Sequence, residues 1–363
     1  MGMTLSRYFG MRFLNAALAT FAGILILVAV IDYIELMRRT ADLQGVSALT
    51  VAQTSLFRVP QVAERVLPFC VLIGAMSCFL TLSRRLELVV ARASGLSAWG
   101  FIAPALIVAF VLGIVATTIY NPVSSILRER SKRLEAEIFK QDKTGLQMSG
   151  NNYWLRQRAP DGHQSILNAA ASQEQGLRLS GITVFVFDPT GKYEERIEAK
   201  AATLEAGHWR LTDARIYVPG SPPADRGAYL LPTALTPEQV RESFATPETV
   251  PFWQLPSYID KAERSGLIAA GYRLQYQKLL SRPFLLASMV LLAAVFSLRF
   301  FRFGGVQKMV LGGVGAGFLL YVFIKITEDL GTAELIHPVV AAWLPVFVGG
   351  LTGLVALLYQ EDG

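Results

Sequence analysis

Charge is the first thing this 363-residue sequence is short of. Asp, Glu, Lys and Arg make up 17% of it, against roughly 25% in ordinary globular chains. The apolar residues bunch towards both ends, and mean hydropathy is +0.40. That distribution argues against an all-soluble chain. Cysteine is nearly absent. Cys70 and Cys78 lie in one apolar run. On a single helix they stand ~12 Å apart, too far for a bridge, so they read as small packing residues and say nothing of redox compartment. His163, His208 and His337 have no ligand spacing, which argues against a metal site. No phosphate-cradling loop exists: Gly191-Lys192 runs into Tyr193 and lacks the upstream glycine. Gly-x-Ser-x-Gly and His-Glu-x-x-His are missing too. Nothing points to an enzyme or a cofactor in this chain, and any ATP hydrolysis belongs to a partner.

What is present is a set of long apolar runs. Six are long enough for a ~30 Å hydrocarbon core, which takes about 20 helical residues: 13–31, 59–82, 99–120, 283–298, 309–326 and 339–359. The fourth is short, and helical residues from Tyr272 onward extend it. The first is not read as a signal peptide, because no cleavage pattern ends it and it continues into the charged stretch 32–39. The net charge of +6 comes from basic residues beside apolar runs or mixed with acids, so no nucleic-acid stripe forms. Six spans put both termini on one side. That side carries Arg7, Arg12, Arg84, Arg85, Arg92, Arg299, Arg302 and Lys308, whereas the loop after the fifth span carries Glu328, Asp329 and Glu334. The positive-inside rule makes the basic side cytoplasmic. No ionisable residue stands out at mid-membrane, which argues against a secondary transporter.

Between the third and fourth spans, residues 121–282 have soluble character and fall outside by this count. They begin with a charged helical stretch, 124–140. The period then changes to two: Ile182, Val184 and Val186 alternate with Thr183, Phe185 and Phe187, and Asp188-Pro189-Thr190-Gly191 follows as a turn. Trp209, Leu211 and residues 214–218 make further strands after a turn at 205–208, and 219–223 break the run. Short strands at this spacing predict a sandwich or small roll. Residues 256–267 read as helix again. The expected organisation is 1–120 for three spans, with a cytoplasmic helix at about 84–95; 121–270 for a β-rich extracytoplasmic domain; and 271–363 for three more spans.

Four motifs stand out. Residues 83–95, taken as one helix, place Leu86, Val89, Val90 and Ala93 on one face and Arg84, Arg85, Glu87 and Arg92 on the other, with Gly95 as the stop. This is either an interfacial anchor or a coupling helix for a cytoplasmic ATPase. Gly313/Gly317 and Gly349/Gly353 have small-xxx-small spacing, for packing within one subunit or between two. Lys325 is spaced to pair with Glu328 and Asp329. Asp32, Glu35, Arg38 and Arg39 cluster where the first span ends on the outer side. The two arginines either snorkel or offer planar forks to lipid phosphate. The two carboxylates near the same face would repel phosphate, hold the arginines in position, or bind bridging cations.

These residues also carry a family resemblance. Glu87-Leu88-Val89-Val90-x-x-Ala93-Ser94-Gly95 resembles the coupling helix of the LptF/LptG permeases of lipopolysaccharide export, and the Ala-Ser-Gly ending favours the LptG branch over the LptF sister. Gly150-Asn151-Asn152-Tyr153, the 182–187 strand and His208-Trp209-Arg210-Leu211 resemble that family's periplasmic domain, and 272–283, with its Tyr-x-x-x-Tyr, resembles the approach to its fourth span. The resemblance implies an α-helical membrane protein of six helices, 3 + 3, with an inserted periplasmic β-jellyroll-like domain, in the bacterial inner membrane with cytoplasmic termini. It implies an LptF-type partner, an LptB-type ATPase dimer and an LptC-type bridge protein. Arg38 and Arg39 match two of the family's phosphate-contacting positions; a third, usually basic, falls at Asp32. The competing readings are a membrane-anchored sensor or scaffold with an outer binding domain, and a lipoprotein-releasing permease, which has four spans.

Overall fold

The computed structural model describes residues 3–41, 47–140, 153–159, 162–173, 176–236, 247–264, 269–301 and 306–362. Gly150, Asn151, Asn152 and Arg302, singled out above, lie outside the described residues. The chain packs as two compact units. Met1–Gln141, Glu248–Leu255 and Ala270–Gly363 form a helical unit; Asp142–Pro247 and Pro256–Ala269 form the other.

The helical unit contains α1 (Met3–Thr40), α2 (Ala48–Arg84), the short α3 (Glu87–Ala93), α4 (Ala98–Val115), a π-helical turn (Ala116–Tyr120) and α5 (Asn121–Lys140). After the insertion and α6 (Leu255–Arg264) come α7 (Ala270–Phe301), α8 (Val306–Thr332) and α9 (Pro338–Asp362). Among the described residues, six helices are long and apolar enough to cross a membrane: Thr4–Thr40, Ala48–Arg84, Ala98–Lys132, Ala270–Leu298, Gln307–Thr332 and Pro338–Gln360. All six overrun the apolar stretches read from the sequence, because polar turns continue the helix beyond the hydrocarbon-length run. Alternation brings the C-terminal ends of α1, α4 and α8 and the N-terminal ends of α2, α7 and α9 to one side, the insertion side, where α5 departs.

Phe13, Leu72, Phe79, Phe101, Ile102 and Met289 sit in the centre of this unit with almost no exposure. By contrast Ile26, Leu27, Val30, Ile31 and Ile34 of α1 are exposed, as expected for a face bathed in hydrocarbon or covered by another helix. The glycine question resolves towards internal packing. A Cβ at Gly313 would strike Met76, one at Gly317 Leu72, one at Gly349 Leu320 and one at Gly353 Leu291, so these glycines let helices of the same subunit approach closely.

The other unit holds β1 (Tyr153–Arg158), β2 (Gln164–Gln173), β3 (Arg178–Phe187), β4 (Tyr193–Glu205), β5 (His208–Tyr217) and β6 (Ala224–Pro232), antiparallel and in sequence order within one sheet. The expected inserted β domain is present, and its described strands form a meander. The period-two reading holds in β3: Ile182, Val184 and Val186 are buried while Thr183, Phe185 and Phe187 are half-buried. The 188–191 turn is held by Asp188, whose Oδ1 accepts from the Thr190 and Lys192 backbone N–H groups, both at 2.8 Å, and from the Thr190 hydroxyl at 2.6 Å. Those bonds, the hydroxyl first, hold the Asp188 carboxyl below its ordinary pKa. The sheet curls on itself. Gln157 of β1 accepts from Trp209 Nε1 of β5 at 3.1 Å and from the Thr233 hydroxyl just past β6 at 2.7 Å. Strands at opposite positions in the sheet therefore meet over a core that includes the fully buried Trp209.

Candidate functional sites at the two ends of the spans

At the insertion-side end of α1, helical spacing decides who pairs with whom. Glu35 takes Arg38 at 2.9 Å and Arg39 at 2.8 Å, the i+3 and i+4 neighbours. Both arginines remain exposed, 77% and 54% of the side chain. They form a two-fork cationic surface pre-aligned by one carboxylate. Glu35 is the carboxylate that pairs with these arginines, and Asp32 turns to α2 instead. It is 8% exposed, accepts from Ser55 Oγ at 2.8 Å and pairs with Arg58 Nε at 2.9 Å. Arg58 also lies 3.6 Å from Glu135 of α5. Asp32 thus ties α1 to α2, because α2 presents a cation and a hydroxyl at its level. Spacing along one helix cannot reveal that neighbour.

On the opposite side, the 84–95 segment is not one helix. Leu86 adopts a left-handed conformation, φ 59°, so α2 ends and α3 starts afresh at Glu87. Leu88 and Ala91 are buried, whereas Leu86, Val89, Val90 and Ala93, grouped on one apolar face by the sequence, are exposed together. Arg84, Arg85 and Arg92 point to the surface as expected, with the Arg92 guanidinium 5.9 Å from the Phe101 ring centre. Glu87 is half-buried and accepts from Tyr8 OH at 2.9 Å; Arg12 Nε donates to the same hydroxyl at 3.1 Å. Gly95 closes the helix at φ +85°: Gly95 N–H reaches Arg92 O and Leu96 N–H reaches Ala91 O, a terminus that favours glycine. The result is a small exposed platform, apolar in the middle and cationic around it.

A third cluster was not legible in the sequence. Glu64 is 6% exposed within α2, near the insertion-side end of its apolar run. Its carboxylate pairs with Arg282 of α7 and accepts from Asn121 Nδ2 at 2.9 Å and from Ser124 Oγ of α5. The available signal was a carboxylate inside an apolar run, here masked by its neighbour Arg65. Beside it lies a cavity of about 240 Å³ lined by Glu64, Arg282, Lys278, Glu328, Tyr321 and Met289, among others. Glu328 binds Lys278 at 2.8 Å, and Lys325 reaches Glu328 and Asp329 at 3.9 and 3.4 Å.

Comparison with known proteins agrees with this architecture. The Escherichia coli (strain K12) lipopolysaccharide export system permease protein LptG is 23% identical over 350 residues, 94% of each chain. The Haemophilus influenzae protein of the same name is 23% identical over 361 residues, 93% of this chain and 92% of that one. Residues 7–359 match the family model described as lipopolysaccharide export system permease LptF/LptG. With six membrane-length helices and a β domain inserted between the third and fourth, the chain belongs to the LptF/LptG family of lipopolysaccharide export permeases.

Proposed function

We propose that this chain is the LptG-type subunit of an ABC exporter that lifts lipopolysaccharide from the periplasmic leaflet of the inner membrane. In this reading it pairs with an LptF-type subunit, is driven by two LptB-type ATPases, and hands the lipid to an LptC-type bridge protein. The observation that carries the reading is the family match across 7–359, spanning both the helices and the inserted β domain. The physics requires such parts. Each buried methylene is worth ~0.8 kcal/mol, so a lipid with several acyl chains leaves the bilayer only with an energy source and a covered path. Cytoplasmic termini and a periplasmic β domain follow from the lysine and arginine distribution.

Two surfaces take named roles. Arg38 and Arg39, aligned by Glu35, receive lipid phosphate. The 84–95 segment docks the ATPase: Leu86, Val89 and Val90 enter an apolar groove, Arg84, Arg85 and Arg92 meet acidic rims, Glu87 is oriented by Tyr8, and Gly95 ends the platform. An exposed apolar patch supports docking over mere anchoring, since its helix is already seated by Leu88 and Ala91. The test is expression of the tagged chain with identification of co-purifying subunits, followed by reconstitution in vesicles containing lipopolysaccharide. ATP-dependent transfer to an acceptor bridge protein is expected. Purification without an ATPase, or hydrolysis that never moves lipid, refutes the assignment.

A further inference from the structure

We propose that Glu64 is a positioning residue for transport, whose carboxylate locks both chain connections of the inserted domain to the membrane spans. The proposal rests on the export-permease reading above. On the outgoing side, Asn121 and Ser124 at the start of α5 both donate to Glu64, while Arg282 of α7 neutralises it. On the returning side, Asn121 Oδ1 accepts from Phe252 N–H at 3.0 Å, so one amide joins Glu64 to the returning segment. That segment is held three more ways. Glu248 is bound by Gln61 Nε2 at 3.2 Å and by Arg65, both on α2. Trp253 Nε1 donates to Thr118 O at 3.1 Å, and Phe252 stacks on Tyr276 of α7 with ring centres 5.5 Å apart.

Helix irregularities converge on the same place. Pro283 has no N–H, which leaves the Leu279 carbonyl without its helical donor; Thr117 Oγ1 supplies one at 2.9 Å. Thr117 belongs to the π-helical turn, as does Tyr120, whose hydroxyl donates to Pro60 O at 2.8 Å. A Cβ at Gly113 would strike the Pro283 backbone, so α4 and α7 touch directly below the turn. Turns of this kind recur at functional sites, and a buried charge within a span is costly enough to argue for a role. Apolar packing would hold the helices together without it. What the carboxylate adds is direction: three polar donors from two elements meet at one point, so a shift of α2 or α7 is passed to α5 and to residues 248–255 without slack. Energy spent on moving the spans then reaches both tethers of the domain that receives lipid.

The experiment uses the full complex in vesicles and reads ATP hydrolysis and lipopolysaccharide delivered to the acceptor in the same sample. The variants are Glu64→Gln, Arg282→Gln and the double. Each single variant is expected to lower lipid delivered per ATP at least fivefold while hydrolysis stays within twofold of the parent. The double variant, with two amides that can bond each other, is expected to return to within twofold. If Glu64→Gln does not assemble, Trp253→Phe, which deletes only an exposed indole's bond to Thr118, takes its place, with at least a twofold loss per ATP expected. An unchanged ratio in the assembled variants, including a parallel fall in hydrolysis and delivery, overturns the proposal, as does a double variant no better than the worse single. Failure of the parent complex to deliver lipid would instead refute the permease reading.

Discussion

Replacing Arg38 and Arg39 together by alanine separates a binding role from a structural one. Both side chains are largely exposed, and both pair with Glu35. Exposed pairs contribute about 0–1 kcal/mol, so the double alanine variant should lose little stability. Binding is different. A hydrogen bond to a charged group is worth roughly 1.5–3 kcal/mol, and freeing each arginine from Glu35 costs up to ~1 kcal/mol. With that cost subtracted in full, the net for two arginines is about 1–4 kcal/mol, and at ~1.4 kcal/mol per decade that is at least about fivefold in affinity. Double lysine keeps charge and loses the planar fork, so it should fall between. Glu35→Gln removes the internal competitor and should strengthen binding. The assay is lipopolysaccharide binding to the purified complex at two salt concentrations, because a phosphate contact must weaken as screening increases. Equal affinity of parent and double alanine variant at low salt would show that the pair only anchors α1.

Asp32 behaves oppositely: Arg58→Leu leaves a nearly buried carboxylate with only Ser55, and breaking such pairs costs about 3–5 kcal/mol, reduced here because Arg58 keeps some exposure; a clear drop in melting temperature of the purified complex is expected, and Asp32→Asn should lose less because an amide can still bond Ser55. Val90→Asp puts a charge on the exposed α3 patch and should abolish recovery of the ATPase in pull-downs while the permease still folds, whereas Glu87→Lys also breaks the Tyr8 bond and is the poorer probe. Gln157→Leu strips the buried Trp209 N–H and Thr233 hydroxyl of their acceptor, at about 1–3 kcal/mol for each, and should lower the melting temperature of the β domain, followed by tryptophan fluorescence. The Asp188 pKa is depressed in the folded state, so its contribution is complete above the ordinary carboxylate range and lost as pH falls through the lowered value; hydrogen exchange at the Thr190 and Lys192 amides should be faster in Asp188→Ala at neutral pH and equal to the parent in strong acid.

What could be read in the sequence was whatever chain neighbours decide between themselves. Six apolar runs become helices because no lipid-exposed backbone can leave its polar groups unpaired, and Ile182, Val184 and Val186 face one way because a strand alternates. Asp188 holds its own turn, Gly95 ends its own helix, and Glu35 finds Arg38 and Arg39 one turn away. Tertiary structure decided the rest. Asp32 was taken for a companion of those arginines until α2 brought Arg58 and Ser55 against it. Residues 83–95 read as one helix in the sequence, and a single left-handed residue, Leu86, breaks it in two. Glu64 and Arg282 are 218 residues apart; nothing local to either names the other. A buried charge selects whichever opposite charge the fold carries within reach, and that choice depends on how helices pack, which neighbouring residues along the chain do not encode.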